Sequence, residues 1–168
     1  MRGLVRSTAA ASMLLGAIGM GAGPLREAAA AAAPECGTAT LRASIGGSDA
    51  GAGNIYTTLV LRNIGHATCL MRGYPGVSLL DRQGHQIGRA AQRTPLATHT
   101  IVLRPGGTAS TVIHTLNPGV GTNDCLGPSV ALRVYPPDQR KALLVPARLS
   151  ECLGRLEVQP LVAGSTEM

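Results

Sequence analysis

The sequence predicts an all-β fold, an immunoglobulin-like sandwich of about seven to nine strands held together by two disulfides. Short apolar segments with alternating polar residues are separated by turns rich in Gly and Pro. No segment beyond the N-terminus has the 3.6-residue periodicity of an amphipathic helix. The chain has four cysteines, an even number, but no Trp and no Phe. It therefore lacks the buried tryptophan of antibody domains.

Residues 1–33 are predicted to be a signal peptide that is removed on export. Arg2 and Arg6 form a basic start, an uncharged run follows, and small residues precede a cut that we place between Ala31 and Ala33. The alternative is a retained membrane anchor. Several glycines and Pro24 make the run weakly apolar and poorly helical, which favours cleavage.

Residues 34–168 are expected to form a single secreted domain with a frayed C-terminal end. Removing the leader leaves 12 basic and 8 acidic residues, a net charge of +4. The basic residues are scattered and aromatic residues are scarce, which argues against nucleic-acid binding. Cys36 follows no lipobox, so the protein is expected to be extracellular or associated with the cell wall without a lipid anchor. We expect a monomer with an unidentified envelope or extracellular partner and no membrane span.

The four cysteines, all in the exported part, predict two disulfides. A thiol–metal site would need close pairs such as C-x-x-C, and the chain has none. Three pairings are possible. We favour Cys36–Cys69 with Cys125–Cys152, because each closes a loop of about 30 residues worth roughly 3–4 kcal/mol. Spacing alone leaves the other pairings open.

The first two strands are expected on either side of a glycine-rich segment. Thr38–Ile45 alternates apolar and polar residues, as a half-buried strand does. Gly46–Asn54 has four glycines in nine residues and is predicted to be a flexible, exposed loop. Tyr56–Arg62 is the second strand, with Leu59 and Leu61 directed inward.

Gly and Pro residues mark the predicted turns and loops between the later strands. Asn63–Gly65 is predicted to turn the chain, Ala90–Thr98 to be a crossing loop, and Asn117–Pro128 to be a second glycine-rich loop. Tyr74 and Tyr135, each followed by a proline, are interpreted as corner residues rather than a contact patch. The remaining strands are expected over Val77–Leu80, His85–Gly88, Thr100–Leu103, Thr108–Leu116, Val130–Tyr135, Ala142–Val145 and Leu156–Pro160.

One segment is close to a catalytic motif. Gly46–Ala50 differs by one residue from the G-x-S-x-G elbow, in which a strained strand-to-helix turn exposes a nucleophilic serine. Here Ala50 takes the fifth position and no helix is predicted to follow. A solvated turn is the favoured interpretation, and a hydrolase centred on Ser48 is the alternative.

No other residue type forms a recognisable site. The four histidines (His66, His85, His99 and His114) lie at least 14 positions apart, unlike the close pairs of most metal sites. The acidic residues of the exported part mostly stand beside Gly, Pro or Cys, where Asp stabilises turns. We therefore assign no catalytic, cofactor-binding or metal-ligating residue, and expect no cofactor.

The ordered motifs resemble one uncharacterised family, the secreted four-cysteine domain of high-GC Gram-positive bacteria known as domain of unknown function four-two-three-two. The similarity covers about Cys36 to Pro160. The residues that carry it are Cys36-x-x-x-x-Leu41, Tyr56-x-x-Leu59-x-Leu61-x-Asn63-x-Gly65, Cys69-x-x-x-Gly73-Tyr74-Pro75-Gly76-Val77, Asp81-x-x-Gly84, Leu103-x-Pro105-Gly106-Gly107-x-Ala109, Cys125, Leu132-x-Val134-Tyr135-Pro136-Pro137 and Cys152.

The resemblance implies an extracytoplasmic β-sandwich with no established activity. Some members of the family are lipid-anchored, and this chain departs from them because it has no lipobox cysteine. The leading hypothesis is an exported, non-catalytic binding or interaction module of the envelope or extracellular space. Its contact surfaces are expected in the two glycine-rich loops. A hydrolase centred on Ser48 and a structural accessory of the envelope are the alternatives.

Overall fold

The structure is a computed structural model that describes residues 32–119 and 124–165. Within these ranges the regular structure is β-strand, apart from one 3-10 turn at Thr38–Thr40, so the predicted all-β class is confirmed. No helix in the described ranges is long and apolar enough to cross a membrane. The predicted signal peptide up to Ala31 and the last three residues lie outside the described residues.

Fourteen strands are found in the described residues, more than the seven to nine predicted. Eight of them have four or more residues, and the other six have two or three. Two of the short ones, Gln86–Ile87 and Leu156–Val158, lie in segments predicted to be strands; the other four have two residues each, which is too short to show alternation. In chain order they are β1 (Leu41–Gly51), β2 (Asn54–Asn63), β3 (Cys69–Arg72), β4 (Gly76–Leu80), β5 (Gln86–Ile87), β6 (Gln92–Arg93), β7 (Thr100–Leu103), β8 (Thr108–Leu116), β9 (Cys125–Leu126), β10 (Ala131–Tyr135), β11 (Leu143–Pro146), β12 (Glu151–Cys152), β13 (Leu156–Val158) and β14 (Val162–Ala163).

The larger sheet has the order β1-β2-β8-β13-β6, with β14 also paired to β8. All of its pairings are antiparallel except that of β6 with β13, which is parallel. A second sheet has the order β11-β10-β4-β5, and two-stranded sheets join β3 to β7 and β9 to β12. The segment 90–98, predicted to be a loop, therefore contributes β6 to the sheet edge.

The core consists of aliphatic side chains from both large sheets. Leu59, Leu61 and Ile113 from the first sheet and Leu79 and Leu132 from the second are fully buried members of one cluster. Leu59 and Leu61 thus point inward as predicted. Two sheets that share one buried layer are consistent with the expected sandwich. With no Phe or Trp in the chain, branched aliphatic side chains fill this layer.

The prediction of a flexible loop over Gly46–Asn54 is wrong. β1 continues to Gly51 through a bulge between Ile45 and Ser48, and pairs with β2 as far as Gly51 opposite Asn54. The low strand propensity of the glycines is outweighed by backbone pairing with a β-branched neighbour. The result is a long hairpin, which we call the β1–β2 hairpin, whose turn is Ala52-Gly53.

Both disulfides join the residues that spacing favoured. Cys36–Cys69 ties the segment before β1 to β3, where Cys36 N–H also donates to the carbonyl of Leu70 at 2.8 Å. Cys125–Cys152 links two residues that face each other across β9 and β12. No free cysteine is present in the described residues. One disulfide therefore cross-links the N-terminal half of the domain sequence and the other cross-links the C-terminal half.

Candidate functional site

A groove on the outer face of the larger sheet is the most distinctive concave surface in the described residues. It has a volume of about 520 Å³ and lies where β1, β2 and the start of β8 meet. We call it the arginine groove. The side chains that line it and that bear on its chemistry are Arg42, Ser44, Val60, Arg62, Ile64 and Thr108.

The strand register brings the polar residues of this groove together. Arg42 is paired directly with Arg62 across β1 and β2, and Arg62 is paired with Thr108 across β2 and β8. Val60 and Ser44 form the next matched pair of the same face. Directly opposed side chains on one face lie about 4.5–5.5 Å apart at Cβ. Backbone pairing of β1, β2 and β8, rather than loop conformation, therefore positions these side chains.

The turn between β7 and β8 closes one end of the groove. Asn63 anchors it, because Asn63 N–H donates to the carbonyl of Gly107 at 2.9 Å and its own carbonyl accepts from Gly106 N–H at 2.8 Å. Gly106 has a φ of +79°, and a Cβ added there would lie 3.7 Å from an Nη atom of Arg62. The Arg62 guanidinium therefore extends over this turn.

The electrostatics of the groove are unbalanced. No Asp or Glu lines it, and neither Arg42 nor Arg62 has an ion pair among the described residues. Like charges directly opposed across two strands destabilise a sheet. The arrangement thus concentrates positive charge that the described part of the chain does not neutralise.

Sequence reasoning missed this groove. Arg42 and Arg62 are 20 positions apart and looked like isolated charges in the scattered basic pattern. The register of the β1–β2 hairpin places them opposite each other. That register could not be predicted, because the glycines between the two strands indicated a loop. The first of the two glycine-rich segments predicted to carry function, Gly46–Asn54, is part of a paired hairpin and not a flexible loop.

Ser48, the serine of the near-motif, lies on β1 rather than on a strand-to-helix turn. Its hydroxyl is hydrogen-bonded to the hydroxyl of Thr57 at 3.1 Å. It has no hydrogen bond to a histidine ring in the described residues. The arrangement is that of two paired polar side chains on neighbouring strands, and it lacks the geometry of a nucleophile elbow.

His114 forms the most connected polar cluster of the described residues. Its Nδ1 lies 3.0 Å from a carboxylate oxygen of Glu157, and its Nε2 lies 2.8 Å from Asn54 Oδ1. Asn54 Nδ2 donates to the carbonyl of Ala52 at 3.1 Å, which orients the amide oxygen toward the ring. Both ring nitrogens therefore have a hydrogen-bond partner on a neighbouring strand.

The same ring is stacked on Tyr56, with centroids 4.7 Å apart and planes 17° from parallel. Glu157 also accepts from an Arg155 guanidinium nitrogen at 2.8 Å. The cluster thus ties β2, β8 and β13 together on the outer face and orients the turn of the β1–β2 hairpin through Asn54. Each of its polar groups is occupied by another, which is the pattern of a structural network.

The other histidines, His66, His85 and His99, are exposed on turns and loops. His85 lies 3.5 Å from a carboxylate oxygen of Asp81, beside the β4–β5 turn. In the described ranges no three His, Cys, Asp or Glu side chains come together as metal ligands.

Tyr74 holds the crossing segment in place. Its hydroxyl lies 2.7 Å from the carbonyl of Leu96, accepts from Leu96 N–H at 3.2 Å, and also contacts the carbonyl of Thr94. The Arg93 guanidinium lies 5.6 Å from the ring centroid. These contacts are those of the corner residue that the sequence predicted.

Comparison with known proteins gives one match. The model of a family described as Domain of unknown function (DUF4232) matches residues 36–162, the range from the first disulfide cysteine into β14. This confirms the resemblance that the cysteine, Gly-Tyr-Pro-Gly and Pro-Gly-Gly motifs indicated. No curated protein and no solved structure matches the chain.

Proposed function

Since this chain belongs to the DUF4232 family, whose description assigns no activity, we propose from its own residues that it is an exported, non-catalytic binding module of the cell envelope or the extracellular space. The observation that carries the proposal is the arginine groove. Two cations share a concave surface on a rigid sheet and find no acidic partner in the described residues. Such a surface suits the binding of a partner better than it suits chemistry.

Export is supported by the disulfides and by the leader. Structural disulfides persist in oxidising compartments and are rare in the cytosol. The basic start and small-residue end of residues 1–33 have the pattern of a cleaved signal. We propose that the mature protein begins between Ala32 and Pro34, carries no lipid anchor, and acts as a monomer.

The non-catalytic part of the proposal is supported by the placement of the candidate groups. Ser48 is bonded to Thr57 instead of a histidine, and His114 is bonded on both ring nitrogens by Glu157 and Asn54. A nucleophile needs a base within hydrogen-bond reach, and a base needs a free nitrogen to accept the proton. Neither residue meets that requirement through the contacts described.

Binding of the purified exported protein to isolated cell-envelope fractions tests the proposal. Saturable, reversible retention is expected for the oxidised protein, and it should be lost when the protein is reduced, alkylated and unfolded. Absence of saturable binding to every envelope and extracellular fraction would contradict the proposal. A fluorophosphonate probe provides a second arm, since specific labelling of Ser48 would favour the hydrolase.

A further inference from the structure

We propose that the arginine groove is a binding site for a phosphomonoester, a doubly negative phosphate group carried on a small organic residue. This inference deepens the proposed function and rests on it. It starts from the pairing of Arg42 with Arg62, two like charges placed directly across two strands of one face. A bound dianion converts that repulsion into attraction, because each guanidinium then faces opposite charge.

The donors in the groove are available to such a ligand. No hydrogen bond or ion pair with the other described residues occupies either guanidinium, and the hydroxyls of Ser44 and Thr108 are likewise unengaged there. The side-chain amide of the neighbouring Asn63 is fully used, since its nitrogen donates to two carbonyls at 2.9 and 3.0 Å. The two arginines and two hydroxyls are therefore the groups that remain to hold a ligand.

The number of donors distinguishes phosphate from carboxylate. Each arginine fork can donate two parallel hydrogen bonds, and the two hydroxyls add one each. A carboxylate offers two oxygens, whereas a phosphomonoester offers three terminal oxygens and a charge close to −2 at neutral pH. The tetrahedral dianion matches the two cations in charge and uses more of the donors.

The apolar part of the groove gives the organic residue of the ester a place to lie. Val60 is half-buried on its floor, and the Ile64 side chain is 46% exposed at its edge. A volume of about 520 Å³ is larger than a phosphate ion needs and lies within the range of small-molecule sites. The site therefore fits a phosphate ester better than inorganic phosphate alone.

Titration of the oxidised protein with glycerol 1-phosphate, followed by NMR shifts of the Arg42, Arg62 and Thr108 amides, tests the assignment. Saturable shifts at these amides are expected, with weaker binding of acetate and an affinity that falls as salt rises from about 0.05 M to about 0.5 M. R42Q and R62Q should each weaken binding about tenfold, and the double variant should abolish it. Binding of acetate as tight as that of glycerol 1-phosphate would overturn the assignment.

A second arginine pair supplies the matched control. Arg82 and Arg148 line another groove of the described residues, but Asp81 lies in the same lining and offsets one of the two positive charges. R82Q/R148Q removes the same charge as R42Q/R62Q and should leave the affinity within about twofold. If the control pair weakens binding as much as R42Q/R62Q does, net charge rather than the arginine groove is responsible, and the site assignment is wrong.

Binding to isolated envelope material distinguishes a phosphate ester carried by an envelope polymer from a free phosphorylated metabolite. Stripping phosphate from an isolated envelope polymer should abolish its binding if the polymer carries the ester, and leave binding unchanged if the ligand is a free phosphorylated metabolite. If R42Q/R62Q still binds the envelope as the unmodified protein does, the groove assignment fails while the proposed function stands. If the unmodified protein binds glycerol 1-phosphate but no envelope or extracellular fraction, the proposed function fails and the phosphate site stands.

Discussion

Asn63 is the residue on which the groove and the adjacent turns depend. The residue is 1% exposed, and both hydrogens of its side-chain amide are donated, to the carbonyls of Ala67 and Leu103. Its Oδ1 accepts from Gly65 N–H at 2.9 Å. A buried amide with all of these bonds stabilises the fold mainly because its loss leaves buried carbonyls without donors.

Asn63→Asp is expected to lower the free energy of unfolding by about 2–5 kcal/mol, because a carboxylate has no hydrogen to donate to either carbonyl. Urea denaturation at neutral pH measures the loss. Asn117→Asp is the matched control: the Asn117 side chain is half-buried and has no hydrogen bond to the other described residues. A similar loss for both variants would show that added charge, rather than the Asn63 bonds, is the cause.

Asp81 shapes the β4–β5 turn. Burial acts to raise the pKa of this carboxyl, but hydrogen bonds from the N–H groups of His85 and Gln83, with the nearby His85 ring, outweigh burial and lower it. The two N–H donors lie 2.8 and 2.9 Å from Oδ1. A lowered pKa in the folded state means that the unfolded chain binds the proton more readily.

The contribution of Asp81 to stability is therefore complete above its unfolded pKa, near the reference value of 3.8, and is lost as pH falls through the lower folded pKa. Asp81→Asn should consequently show a shallower loss of Tm than the unmodified protein in this acid range. Thermal unfolding at a series of pH values measures it. Asp49→Asn, which removes one negative charge at an exposed position of β1, is measured beside it as the control for loss of charge. Parallel profiles for Asp81→Asn and the unmodified protein would contradict the prediction.

At the scale of elements, the β1–β2 hairpin is the feature that local propensity misjudges. Its turn has a φ of +47° at Ala52 and +80° at Gly53. Two positive φ values in a two-residue connection are typical of a type I′ turn, whose twist matches that of the strands. Gly46 also has a steric role, since a Cβ there would lie 3.3 Å from Thr58 Cβ on the neighbouring strand. The glycines thus permit the hairpin instead of interrupting it.

Ala52→Asn is expected to stabilise the protein by about 0.5–1 kcal/mol, because Asn tolerates the left-handed conformation that costs Ala energy. Hydrogen exchange of the β1 and β2 amides and urea denaturation both measure the gain. Ala50→Asn, on the exposed end of β1, is the control and should bring no gain. An equal effect at the two positions would refute the turn argument.

At the scale of the whole molecule, the disulfides add stability to a core that contains no Phe or Trp. Cys36–Cys69 spans 33 positions and Cys125–Cys152 spans 27. Loops of this size are each worth roughly 3–4 kcal/mol through the restricted unfolded chain. That amount is a large fraction of the total stability of a small domain. Formation of the two disulfides and folding are thereby coupled.

The variants C36A/C69A and C125A/C152A are each expected to lose about 3–4 kcal/mol of unfolding free energy relative to the oxidised protein. Guanidinium denaturation followed by circular dichroism measures the loss, and the reduced unmodified protein should lose more than either variant. A loss below about 1 kcal/mol for either pair would show that the corresponding loop is already restricted in the unfolded chain.

The sequence by itself determined the fold class and much of the strand layout. Thr100–Leu103 and Thr108–Leu116 have the predicted bounds, and Leu59 and Leu61 face the core. These features follow from alternation and from Gly and Pro turns, which act over a few neighbouring residues. The cysteine spacing favoured the disulfide pairing without fixing it.

The tertiary structure alone decided what lies across the strands. The hairpin through Gly46–Asn54 forms because the partner strand supplies hydrogen bonds and β-branched neighbours that outweigh the glycines, a contribution no local pattern records. Its register then sets Arg42 against Arg62, and the β7–β8 turn completes the groove beside them. Cross-strand neighbours are fixed by long-range pairing, and the candidate site is made of such neighbours, so it became visible only in the folded chain.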